Sequence, residues 1–218
     1  GNGSADDTGA IRAALSAGGG VYLPAGTYRV TGTITLPDGA HIIGDGDSSV
    51  VDARSVPGAQ AFTATGAVTS VGTVSGSHAR HDTVLGLSST SGVVPGSVLG
   101  VHRDVESSWS SFRTYYEEGE WVVVVGVSGS DVELAAGLYG AYTNGEDVYL
   151  LDPVRVCMTD LRILGASSAG IVRVTYGDGC HFTRISAEHE DNSILWLDRC
   201  VRSTIRDVRL HNEGDGGD

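Results

Sequence analysis

The 218-residue chain predicts an all-β fold wound as a parallel β-helix, and three observations carry that prediction. Apolar runs are short and evenly separated by turns. Two kinds of run recur at steps of 23 or 24 residues in the last third. Glycine is abundant, at 32 residues, with no collagen period, as many turns between short strands require.

One helical pattern comes first. In "DDTGAIRAALSAGGG", Asp7 stands as the N-cap, Ile11, Ala14 and Leu15 form a stripe at helical spacing, and Gly18 to Gly20 end it. Short apolar runs follow at residues 21–23, 28–30, 33–36, 41–43 and 50–51. "PAG", "TG", "PDG" and "GDGDSS" separate them. "GDGDSS" (44–49) has part of the composition of a Ca²⁺ loop but lacks the further acidic ligands at EF-hand spacing, so it reads as a turn.

The last third repeats. Met158-x-x-Leu161-x-Ile163, Phe182-x-x-Ile185-x-Ala187 and Ile205-x-x-Val208-x-Leu210 share one pattern, at steps of 24 and 23. Between them lie "GIVRV" (170–174) and "SILWL" (193–197), again 23 apart. Two strand types keeping order and phase mean stacked repeats, and repeats without helices between strands imply coils of a parallel β-helix.

Residues 61–152 do not keep this period. Their strand-turn-strand runs, such as the hairpin signal "VSGSDV", predict a small β domain inserted between coils. The expected organisation is a cap helix and first coils over 1–60, the insert over 61–152, and further coils over 153–218. The chain opens on Gly1 and ends on "HNEGDGGD" directly after a strand pattern, which reads as a piece of a longer protein.

The net charge of −13 and pI of about 4.7 argue against nucleic acid or an anionic membrane surface as partner. All 14 basic residues are Arg. Cys157, Cys180 and Cys200 have no CxxC spacing and read as buried thiols rather than a disulfide framework or zinc site. No apolar run is long enough for a membrane-spanning helix.

"ADDTGAIRAAL", "GGGVYLPAGTYRV", "TITLPDGAHIIGDG" and "SSVVDA" together resemble the pectate-lyase-3-like family of right-handed parallel β-helices. That family includes tailspikes and appendage proteins of tailed viruses, and secreted polysaccharide lyases, glucanases and epimerases. The resemblance covers about the first 53 residues closely. It implies that the helix caps the N-terminal end of the solenoid and that "YLPAGTY" makes the first coil. For viral members it implies homotrimers and other virion proteins as partners, and for most members a cell-surface or other glycan substrate.

Two constellations are candidates for chemistry. "SAEHED" (186–191) concentrates titratable groups, with Glu188, Glu190 and Asp191 as candidate catalytic residues. Paired carboxylates supply the acid and base of glycoside hydrolysis. Lyases of the family more often use Ca²⁺ on carboxylates with an Arg or Lys base. No cofactor is established by the residues, and Ca²⁺ stays open. Arg173, Arg184 and Arg206 stand where adjacent coils project, and Asp178 and Asp207 extend the acidic set. The plainer alternative is a solvated charged turn.

"WSSFRTYYEEGEW" (109–121) concentrates aromatics, and Trp109, Tyr115, Tyr116 and Trp121, with Arg184, are candidate substrate-binding residues. Aromatic faces stack on sugar rings, and they also fill small cores or mark subunit contacts. His78 and His81 lie three apart without a third metal ligand nearby in sequence.

The expected function is a viral tailspike or tail-appendage protein, extracellular or in the virion tail, that binds and in some forms depolymerises a host polysaccharide. A secreted polysaccharide lyase or glycoside hydrolase, and a non-catalytic virion module, are the alternatives.

Overall fold

The computed structural model describes residues 1–57, 60–104, 117–165, 171–189 and 195–212. The described residues are all-β with one short helix. They form two compact units, residues 1–66 with 153–218, and residues 67–152.

The first unit is a parallel β-helix. One eight-stranded parallel sheet stacks Asn2–Asp6, Gly26–Arg29, Ala40–Asp52, Val156–Leu164, His181–His189 and Thr204–Arg206, with Gly20–Leu23 and Arg209–Asn212 beside them. A second, four-stranded parallel sheet stacks Ile34–Thr35, Phe62–Thr65, Val172–Thr175 and Leu195–Asp198. The repeat seen in sequence is the stacking register. Met158 pairs with Phe182 and Phe182 with Ile205, while Val172 pairs with Leu195.

The same alternation makes the core. Met158, Leu161, Ile163 and Phe182 are fully buried between the sheets, whereas Ile205 and Leu210, their equivalents in the last described coil, are exposed. Phe62–Thr65 pairs with Val172–Thr175, so coil residues run on to Gly66 before the second unit begins.

The helix spans Thr8–Gly18 and buries Thr8, Ile11 and Leu15. Ala14 is exposed, because the buried stripe is one residue narrower than the sequence suggests. Asp7 occupies the N-cap but makes no side-chain cap bond; its carboxylate accepts the Arg29 N–H instead. Asp6 does the capping. It accepts the Thr8 N–H at 3.0 Å, the Thr8 hydroxyl at 2.6 Å and the Thr31 hydroxyl at 2.7 Å. Those bonds favour the charged form and lower its pKa to about 2. Gly19, in the left-handed region, ends the helix with its N–H on the Leu15 carbonyl.

The second unit contains a six-stranded antiparallel sheet in the order Ala67–Thr73, Asp147–Asp152, Val98–Asp104, Glu117–Ser128, Asp131–Leu134, Val84–Gly86. It has its own buried cluster, including Leu85, Leu99, Val101, Val124, Leu138 and Val148. Glu120 fixes the chain above this core by accepting the N–H groups of Tyr139 and Gly140. Burial pushes the neighbouring Tyr142 hydroxyl well up.

Candidate functional site

One column of positions bends the strands of the large parallel sheet. Residues 41–43 and 50–51 prove to be the two ends of one strand, Ala40–Asp52, which kinks through "GDGDSS" with Gly46 left-handed at φ 69. In the next coils the bend falls on Asp160 (φ 57), Arg184 (φ 50) and Asp207 (φ 53). The left-handed region is accessible to Asp at modest cost and unusual for Arg. These three residues occupy the same slot of the repeat, two positions after Met158, Phe182 and Ile205.

Their side chains meet across coils. Arg184 grips Asp160 with two parallel bonds, Nε to Oδ1 at 2.5 Å and Nη2 to Oδ2 at 2.6 Å, and reaches the Thr159 hydroxyl at 3.2 Å. The Arg184 bonds hold the Asp160 carboxyl below the usual range. On the following coil Asp207 faces Arg206 at 3.3 Å.

Beside this column lies an open groove of about 480 Å³. Asp47, Asp160 and Asp207 bring carboxylates to it, Arg184 and Arg209 guanidiniums, and Ser186 a hydroxyl, over Ile185 and Val208. The Ser186 hydroxyl donates to Asp47, which reaches it from two coils away. Arg209 is the register partner of Ser186 on the next coil. Donors and acceptors of both signs are thus clustered over several coils.

Of the residues expected from sequence, Arg184 lines this groove. Glu188 follows Ser186 on the same outward face but does not line the groove. Arg162 donates to its Oε1 from Nε at 3.1 Å and Nη2 at 2.6 Å. Asp207 lines the groove, while Asp178 is buried under Arg202. Trp121 lies in the second unit, edge-on to His102 with centroids 6.1 Å apart. Its ring covers Gly100, where a Cβ would sit 2.8 Å from Trp121 Cζ3. Glu190, Asp191, Trp109, Tyr115 and Tyr116 lie outside the described residues.

Sequence reasoning missed Asp47, Asp160, Ser186 and Arg209. The signal for Asp160 was there, as a charged residue in the same slot of three successive repeats. Asp47 and Ser186 carry no such mark. Among the described residues no group of three His, Cys, Asp or Glu stands close enough to hold a metal ion. Cys157, Cys180 and Cys200 are free thiols, each pushed up by burial.

A coiled parallel sheet with a polar groove on its flank defines the class: the chain carries a pectate-lyase-like parallel β-helix. Residues 1–90 match the family described as rhamnogalacturonase A/epimerase, pectate lyase-like. Mannuronan C5-epimerases AlgE2 and AlgE1 of Azotobacter vinelandii are each 44% identical over a 63-residue alignment that covers 23% of this chain and 6% and 4% of theirs.

Among solved structures, the tailspike gp49 of Pseudomonas phage LKA1 superposes with a TM-score of 0.80 at 25% identity, over 97% of this chain and 36% of its own. The tailspike gp61 of Pseudomonas phage phi297 gives 0.80 at 26%, over 93% and 35%. The Gp54 tailspike of Acinetobacter baumannii bacteriophage AP22, solved with an A. baumannii capsular saccharide, gives 0.72 at 19%, over 94% and 34%, a likeness of fold. The chain thus spans about a third of the tailspikes and a small fraction of the epimerases.

Proposed function

We propose that this chain is part of a viral tailspike that binds a host cell-surface polysaccharide along the groove of Asp47, Asp160, Arg184, Ser186, Asp207 and Arg209. The observation that carries the reading is the extent of the two likenesses. The epimerase match stops at 63 residues, whereas the likeness to the LKA1 tailspike takes in 97% of the chain and so both compact units. On this reading residues 67–152 are a domain carried between coils, the protein works outside the cell on the virion tail, and it assembles as a homotrimer with other tail proteins as neighbours.

A panel of bacterial capsular and O-antigen polysaccharides tests it. Binding to at least one member is expected, weakened by Arg184→Ala and Arg209→Gln. Failure of the intact chain to bind any member would overturn the reading.

The family match over residues 1–90 supports a second reading, a secreted polysaccharide-modifying enzyme. Release of reducing ends or unsaturated uronate from the same panel is its signature. Loss of that release in Glu188→Gln, Glu190→Gln or Asp191→Asn would place the catalytic carboxylates there. Unchanged release in all three removes them.

A further inference from the structure

The outer face of the second parallel sheet, away from the groove residues in the repeat, carries a connected set of five side chains. Arg173 and Trp196 are register partners on adjacent coils, and Thr175 pairs with Asp198 two positions on. The Arg173 guanidinium lies 4.4 Å from the centre of the Trp196 ring. Arg199 lies 5.3 Å over the Tyr176 ring and donates to the Tyr176 hydroxyl. Asp198 stands between the two arginines, 3.8 Å from each.

That spacing is the informative feature. It is too long for a hydrogen bond, so Asp198 holds both cations by charge without occupying their N–H groups. Among the described residues Arg173 donates no hydrogen bond to protein at all; stacking on Trp196 and the pull of Asp198 fix it in place. Its planar fork of donors is therefore oriented and open. Trp196, on the edge strand of this sheet among the described residues, is 47% exposed beside it. The three ionic groups sum to one positive charge on a chain whose net charge is −13.

We propose that Trp196, Arg173, Asp198, Arg199 and Tyr176 form a second saccharide subsite that takes a pyranose unit bearing a carboxylate. The sugar's C–H face lies on the exposed indole. The carboxylate meets the Arg173 fork in a bidentate pair, and Asp198 accepts from a neighbouring hydroxyl. The inference rests on the polysaccharide-binding reading but not on the groove.

The test is titration of the intact chain with a panel of oligouronates and their carboxyl-reduced counterparts. Trp196→Ala is expected to weaken oligouronate binding about tenfold or more, the equivalent of about 1.4 kcal/mol. Arg173→Gln is expected to abolish the preference for the acidic form, while the groove variant Arg209→Gln keeps it. Both altered residues point outward, and thermal melts, with Trp196→Tyr as the conservative partner that retains stacking, separate lost binding from lost folding. Wild-type-like binding by Trp196→Ala and Arg173→Gln, with loss in Arg209→Gln, would overturn this subsite and leave the groove reading intact. Equal affinity for reduced and acidic forms would overturn the carboxylate. Absence of binding by the intact chain to these probes and to every polysaccharide of the wider panel would overturn both readings.

Discussion

Arg184 is expected to reverse the usual order of alanine and glycine. At φ 50 its backbone is left-handed, which costs an L-residue about 1–2 kcal/mol. Its bidentate pair with Asp160 offsets little of that. The two side chains are 57% and 27% exposed, and water and salt screen a pair so placed. Arg184→Ala loses the pair and keeps the strain. Arg184→Gly loses the pair, sheds the strain and incurs about 0.5–1 kcal/mol of extra chain entropy. Glycine should therefore be the more stable variant by roughly 0.75 kcal/mol, the difference of the midpoints of those ranges. At about 2–4 °C per kcal/mol for a chain of this size, that is a gap of a few degrees. Differential scanning calorimetry of the three proteins measures it. On the proposed reading both variants should also bind polysaccharide less well, since the guanidinium leaves the groove in each. An alanine variant more stable than the glycine variant would refute the claim that this bend strains the backbone of the residue that makes it.

Phe182→Ala should destabilise the coils by about 3–5 kcal/mol, since the ring is fully buried between Met158 and the opposing sheet; urea unfolding with a loss below about 1 kcal/mol would contradict that packing. Gly177→Ala places a Cβ 2.8 Å from Cys180 Sγ, 2.9 Å from Val174 Cγ1 and 3.0 Å from Cys200 Sγ. It should cost about 1–3 kcal/mol by overpacking, and Cys200→Ala in the same chain should restore part of the melting temperature. Asp6 has a folded pKa of about 2, below its unfolded value near 3.9. Its contribution is therefore present above about pH 4 and lost as pH falls toward about 2. Asp6→Asn should flatten the acid limb of the stability curve in that window, read by circular dichroism, and parallel limbs would show that Asp6 is not the group responsible.

What was legible in the sequence was what repeats. Met158, Phe182 and Ile205 share a slot because parallel coils stack like residues on like, so the period is written in the spacing of the apolar residues themselves. The helix was legible from its glycines and its Ile11–Leu15 stripe. Its capping residue was not, because Asp6 and Asp7 are chemically alike and only the Thr8 and Thr31 hydroxyls distinguish them. The strand Asn2–Asp6 was illegible for another reason. It is polar, mostly exposed and held to Gly26–Arg29 by backbone pairing, so no apolar alternation marks it. The groove was half legible. Arg184 and Asp207 sit in repeat slots, whereas Asp47 comes from a coil 139 residues before its partner Ser186, a distance no local pattern bridges.

The bend column joins the winding of the coils to the chemistry of the groove. In the first coil Pro24 and Ala25 break the run between Gly20–Leu23 and Gly26–Arg29. In the coil of Ala40–Asp52 the slot holds Gly44, where a Cβ would lie 2.4 Å from the Asp160 carbonyl oxygen. Only glycine allows the next coil to come that close. In the following coils the slot holds Asp160, then Arg184, then Asp207. A left-handed residue turns its side chain out of the sheet, so a position that the fold needs for bending becomes one that presents a charge. The alternation of sign, acidic, basic, acidic, lets each charge steady its neighbour without neutralising the column. The same geometry that bends the coils therefore presents one charged side chain per coil at this column, from Asp160 through Arg184 to Asp207.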